Sequence, residues 1–156
     1  MVETAQPRWR QATAGDAPAI TALVRAAYAR WVPLIGREPM PMRVDYAEAL
    51  TRHRIDLLIV DGVLVGLIET LQHPDHLWIE NIAVEPQCQG RGHGRMLLAH
   101  AEQRAREAGC GELRLLTNAA FASNVALYER TGFRVDRSEP FMGGTTLYLS
   151  KRLVGA

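Results

Sequence analysis

Residues 77–107 carry the pattern that most narrows what this chain can become. An apolar run, Leu77–Val84, leads into a loop that holds Pro86 and the glycines at 90, 92 and 94. A helical pattern begins near Gly92. This is a strand, a tight turn and a helix N-terminus. Such a terminus presents unpaired backbone N–H groups and a partial positive charge, which suits a phosphate. Glycines there remove side chains that would hold a phosphate off the backbone. Arg91 and Arg95 add mobile positive charge. Taken alone, the stretch fits a pyrophosphate cradle and a plain glycine-rich turn equally well.

The flanking chain reads as alternating elements. Residues 9–13 form a short strand. Thr13-Ala14-Gly15-Asp16 resembles a capping box, and Ile20, Leu23, Val24, Ala27 and Tyr28 follow at helical spacing. Pro33 ends that pattern. Residues 36–42 read as a structured loop, and a short helix spans residues 44–53. Two β-rich runs, residues 57–60 and 63–71, flank Asp61 and Gly62, the strongest short hairpin signal. With Leu77–Val84 they make an antiparallel meander. The helix after the glycine loop ends at Gly109, and residues 112–117 form a strand parallel to Leu77–Val84. A short helix lies within residues 119–130, capped by Asn118 or Ser123. Strands at 133–137 and 145–151 close the chain, joined by a loop with Pro140.

Composition excludes several classes. The 156 residues, 47% hydrophobic, suffice for one domain with a sizeable core, residues 1–156. Net charge is +1 and aromatics are 6%, which argues against a nucleic-acid footprint. No apolar run approaches about 18 residues, so no membrane partner is expected. Two cysteines without a CxxC pair fit a reducing, cytoplasmic setting. His73 and His76 sit in a turn without a third ligand, so no metal is expected.

Three motifs then carry a resemblance that covers nearly the whole chain. Gln89-Gly90-Arg91-Gly92-His93-Gly94 fits Gln/Arg-x-x-Gly-x-Gly/Ala, the acetyl-coenzyme-A signature of the GNAT superfamily of N-acetyltransferases. Asn124-Val125-Ala126-Leu127-Tyr128-Glu129-Arg130-Thr131-Gly132-Phe133 resembles that family's C-terminal segment. Arg10 followed by Thr13 to Asp16 and an apolar helix is a weaker third match. The resemblance implies an α/β (α+β) fold of order β-α-α-β-β-β-α-β-α-β-β. Its sheet would be mixed and mostly antiparallel, with about seven strands, a splayed central parallel pair and helices on both faces. It also implies direct acetyl transfer from acetyl-coenzyme A to an amine, small or peptidic, by a monomer or homodimer. An acyl-coenzyme-A sensor on the same fold is the alternative.

The resemblance assigns roles residue by residue. Residues 89–95 (Gln89, Gly90, Arg91, Gly92, His93, Gly94, Arg95) hold the pyrophosphate. Backbone groups of Ile82, Ala83 and Val84 pair with the pantetheine arm. Tyr128 is the general acid for the coenzyme sulfur, with Asn124 on its helix face as a cofactor contact. Relatives carry an asparagine where this chain has Phe121, and Asn118 is a substitute for it. Strand alternation sets Trp78, Glu80, Ile82 and Val84 on one side and Ile79, Asn81 and Ala83 on the other. Glu80, expected among apolar neighbours with a pKa raised by burial, is the general-base candidate, and Glu69 the reserve. Tyr28, Trp31, Met40 and Met42 are expected to line the acceptor site.

Overall fold

Seven strands bond into one sheet, in the spatial order of residues 7–11, 54–60, 63–72, 77–84, 112–118, 144–152 and 134–141. The computed structural model describes residues 6–154. The strands are β1 (Pro7–Gln11), β2 (Arg54–Val60), β3 (Val63–Gln72), β4 (Leu77–Val84), β5 (Glu112–Asn118), β6 (Arg134–Phe141) and β7 (Gly144–Arg152). The helices are α1 (Ala17–Tyr28), α2 (Val32–Ile35), α3 (Tyr46–Ala49), α4 (His93–Glu107) and α5 (Ala122–Arg130). All neighbours are antiparallel except β4 and β5. That parallel pair touches only through Leu77–Leu113, Trp78–Arg114 and Ile79–Leu115. Beyond Ile79 the two strands part, which leaves the β5 side of residues 80–84 without a strand partner.

The turns follow from local chemistry. Asp61 and Gly62 both have positive φ, 53° and 75°, as a two-residue hairpin turn requires. Met142 and Gly143 repeat this between β6 and β7. Gly109 and Gly132, just past α4 and α5, are left-handed as expected of helix-ending glycines. Asp16 accepts the Thr13 N–H at 2.8 Å and two bonds from Arg10 at 2.9 Å, which ties β1 to the start of α1.

The core has two halves, one on each face of the sheet. On one face α1 and α3 bury Ile20, Leu23, Val24, Tyr46 and Ala49 against Ile55, Leu57, Leu67 and Ala83. On the other, α4 buries Leu97, Leu98, Ala101 and Ala105 against Leu58, Ile68, Leu77, Ile79, Leu113 and Leu115. Each fully buried leucine contributes about 1.5–3 kcal/mol. Phe121, at the start of α5, belongs to the first half and Tyr128, near its end, to the second. That helix therefore lies across the split between β4 and β5.

Three expectations change. Pro33 does not end helical structure but opens the single turn of α2, where its missing N–H costs nothing. Pro140 lies within β6, not in a loop; β6 is an edge strand, where proline is tolerated. The strict alternation along β4 also fails. Glu69 pairs with Asn81 and Thr70 with Ile79, so Glu80 is the extra residue of a β-bulge. The bulge reverses sidedness. Leu77 and Ile79 face α4 with Ile82 and Val84, while Ala83 faces α1. Among the described residues no helix is long and apolar enough to cross a membrane.

Candidate active site

Two clefts meet where β4 and β5 separate. The first, about 450 Å³, lies between the end of β4, the N-terminus of α4 and α5. The second, about 120 Å³, lies between β4, β5 and the chain around α2. Tyr28, Ile82, Asn124 and Tyr128 line both and so form their junction.

The first cleft suits a large anion. Ile82, Ala83 and Val84 line it along the unpartnered side of β4. The N-terminus of α4 opens into it, with Gly92 left-handed at φ 85° in the cap position. The first intrahelical bond there is Met96 N–H to the Gly92 carbonyl, at 3.1 Å. The N–H groups of His93, Gly94 and Arg95 precede it and have no carbonyl one turn back. Arg30, Arg95 and Arg130 line the cleft, and among the described residues no carboxylate does. A free strand edge, a free helix N-terminus and three arginines suit a ligand with an amide-bearing arm and phosphates.

Within the loop the residues divide by role. Gly90 and Gly92 need left-handed backbone, at φ 78° and 85°. Gly94 serves packing instead: a Cβ there would sit 2.8 Å from Leu127 Cδ2, so its lack of a side chain lets α4 approach α5. Gln89 donates from Nε2 to the Val84 carbonyl at 3.3 Å and clamps the loop to β4. His93 Nδ1 lies 3.2 Å from the Cys88 carbonyl. Arg91, expected to help, is exposed and does not line the cleft. Asn118 lines the second cleft, not the first, and its Oδ1 accepts the Ala120 N–H at 2.9 Å. The cap position of α5 is Phe121, without a side-chain bond, so neither Asn118 nor Ser123 caps it. Arg30 and Arg130, missed from the sequence, come from separate helices, and no short motif joins them.

At the junction, Tyr128 is the informative side chain. It is 7% exposed, and its hydroxyl has no hydrogen-bond partner among the described residues. Burial pushes that hydroxyl up to about 12. Tyr28 is held differently. Its hydroxyl donates to Asn81 Oδ1 at 2.7 Å and lies 3.3 Å from the Ile82 carbonyl. Asn81 Nδ2 donates to the Tyr46 hydroxyl at 3.2 Å, which donates to the Pro41 carbonyl at 2.7 Å. Burial raises the pKa of both tyrosines.

The expected acid–base and acceptor residues are only partly brought together. Glu80 lines the second cleft, but it is exposed and accepts Trp78 Nε1 at 2.7 Å, since the bulge turns it out of the core. Glu69 is the buried carboxylate, with its pKa raised by burial. It bonds His53 Nδ1 at 2.7 Å and lines neither cleft. Of the acceptor residues, Tyr28 and Met40 line the second cleft. Trp31 does not, because its ring stacks on Phe121 at 4.7 Å inside the core. Met42 is likewise core, 7% exposed. Among the described residues there is no group of three or more side chains suited to a metal.

Comparison with known proteins fits this geometry. A family model described as "Acetyltransferase (GNAT) family" matches residues 20–133. Streptothricin acetyltransferase of Streptomyces lavendulae is 44% identical over 75 residues, 47% of this chain and 40% of that protein. The [ribosomal protein bS18]-alanine N-acetyltransferase of Escherichia coli K12 is 41% identical over 76 residues, 49% of this chain and 51% of that one. The matched stretch thus spans about half of these relatives or less. The PaiA N-acetyltransferase of Thermoplasma acidophilum, solved with coenzyme A, superposes with a TM-score of 0.80 at 15% identity. That match covers 95% of this chain and 99% of the other, a likeness of fold.

Proposed function

The chain belongs to the GNAT acetyltransferase family, and from that premise we propose that it moves an acetyl group directly from acetyl-coenzyme A to a primary amine. One observation carries this reading: Tyr128, a largely buried side chain whose hydroxyl makes no hydrogen bond among the described residues, stands at the junction of a basic cleft and a smaller mixed one. The fit rests on this chain's own groups. The free side of β4 at Ile82, Ala83 and Val84 would receive the pantetheine amides. The N–H groups at the start of α4, with Arg30, Arg95 and Arg130, would receive the phosphates. Asn124 borders the same junction. When bound, acetyl-coenzyme A supplies an activated thioester.

In the reaction the amine nitrogen bonds the acetyl carbon, the carbon–sulfur bond breaks, and the amine loses a proton while sulfur gains one. Tyr128, with its pKa near 12, keeps its proton at neutral pH and so presents a donor to the departing sulfur. A free thiol titrates near about 8.5, below that tyrosine, so complete transfer is uphill in the ground state. The hydrogen bond to developing negative charge therefore carries most of the effect, and Tyr128 recovers any proton it gives from solvent. Glu80, at the mouth of the second cleft, accepts the amine proton through water. Tyr28, fixed by Asn81, holds the wall opposite.

The relatives are named for an antibiotic and for an alanine of a ribosomal protein, so amine acceptors of either size are compatible. Cys88 and Cys110 are both free, in keeping with a reducing, cytoplasmic setting for a single domain of residues 1–156. The test is acetyl transfer by Tyr128→Phe over a panel of amines. Loss of a donor to the leaving group should lower kcat about 100-fold with acetyl-coenzyme A binding retained. Full activity in the variant would refute the role of Tyr128. Tight acetyl-coenzyme A binding by the wild type with no amine accepted would favour a sensor instead.

A further inference from the structure

Arg37 has no part in the chemistry above, yet it occupies a telling position. The second cleft continues outward into a trough of about 420 Å³ between α2 and the β6–β7 turn. Ile35, Arg37 and Asn118 line both spaces. Gly36, left-handed at φ 75°, ends α2 and turns the chain so that Arg37 enters this passage. The guanidinium carbon lies 5.6 Å from the centre of the Phe141 ring, which supports it from one side.

The hydrogen-bonding capacity of Arg37 is largely unused. Its Nε is buried and has no partner among the described residues. The bond from Nη1 to the Glu38 carbonyl is long, at 3.5 Å. The carboxylates that would neutralise it are engaged elsewhere. Glu38, next in the chain, bonds Arg25 at 2.8 Å. Glu80, which lines the same cleft, bonds Trp78 at 2.7 Å. A buried donor left without an acceptor is unfavourable unless a ligand supplies one. Arginine offers Nε and an Nη in parallel, a fork that matches the two oxygens of a carboxylate.

Resting on the acetyl-transfer reading, we propose that Arg37 determines acceptor specificity and that the acceptor is an amine that also carries a carboxylate. The carboxylate pairs with Arg37 while the amine reaches the junction at Tyr28 and Tyr128. The cleft is then complementary to a zwitterion, with Arg37 towards its outer end and Glu80 on the β4 wall. A free carboxylate is favoured over a peptide carbonyl because an unneutralised guanidinium gains more from a charged, two-oxygen partner.

The test measures kcat/KM for acetylation of ω-amino acids from glycine to 6-aminohexanoate and of several α-amino acids, each beside its carboxamide. Wild type should prefer the carboxylate by about 10- to 100-fold at the best chain length. In Arg37→Met that ratio should fall towards one, mainly through KM, and Arg37→Lys should restore part of it. Calorimetry with acetyl-coenzyme A should give the same Kd for all three proteins. Wild-type preference for carboxamides, plain alkylamines or peptide N-termini would overturn the proposal and leave acetyl transfer standing. An unchanged ratio in Arg37→Met would do the same. Acetyl-coenzyme A binding without turnover of any amine would overturn both.

Discussion

Replacing Asn81 by alanine removes the side chain that fixes Tyr28 at the junction of the two clefts. Asn81 is 4% exposed and makes two side-chain hydrogen bonds, from Tyr28 at 2.7 Å and to Tyr46 at 3.2 Å. Each contributes about 1 kcal/mol net. Neither tyrosine is left without a partner, because Tyr46 still donates to Pro41 and Tyr28 has the Ile82 carbonyl at 3.3 Å. The small cavity adds about 0.5 kcal/mol. The expected cost is therefore about 2–3 kcal/mol, which lowers Tm by roughly 5–10 °C for a domain of this size. Tyr28→Phe should cost about 1–2 kcal/mol, since it leaves Asn81 Oδ1 buried without its donor. The two variants share one bond, so the double variant should fall short of their sum by about 1 kcal/mol. Urea unfolding of wild type, both single variants and the double variant gives this coupling. Additivity within about 0.3 kcal/mol would refute the network and, with it, the claim that Asn81 holds Tyr28 in place.

Two further predictions concern pH. The Arg10 guanidinium and the Thr13 N–H hold the Asp16 carboxyl at about 2, below its ordinary 3.8. A depressed folded pKa gives stability present above 3.8 and lost as pH falls towards 2. Discounted for the exposure of Arg10, Asp16→Asn should cost about 1 kcal/mol at neutral pH and nothing at the acid end, read from urea midpoints. Glu69 has the opposite sign: burial raises its folded pKa above 4.5, so its contribution is present below 4.5 and lost as pH rises through the folded value. Glu69→Gln should gain on wild type as pH rises from 4.5, and a constant difference in urea midpoints across that range would contradict the assignment.

Elements whose cause is local were legible in the sequence. Leu77–Val84 matched at both ends because an apolar β-rich run was bounded by turn residues on each side. The Asp61–Gly62 hairpin and the helix ends at Gly109 and Gly132 matched because positive φ is costly for most other residues. Asn124 and Tyr128 share a helix face because their spacing is four. Trp31 and Met42 misled because an aromatic ring and a thioether suit a binding wall and a core alike. What put Trp31 inside was Phe121, which packs on it from ninety residues away in the chain. No local pattern reports that contact.

The bulge at Glu80 shows why a site is harder to read than a fold. One unpaired residue leaves the strand's length, composition and burial alternation unchanged, yet it exchanges the two faces of everything after it. A period-two reading then assigns each side chain beyond Ile79 to the wrong partner, although the strand itself is correctly found. Here the exchange places Asn81 under Tyr28, and turns Glu80 outward beside Trp78. Among the described residues the only carboxylate left in the interior of that face is Glu69, the register partner of Asn81, which His53 holds away from both clefts. Under the proposed acetyl transfer, proton removal from the amine would fall to a solvent-facing group, and the sharper chemical demand to Tyr128, whose hydroxyl at the junction makes no hydrogen bond among the described residues.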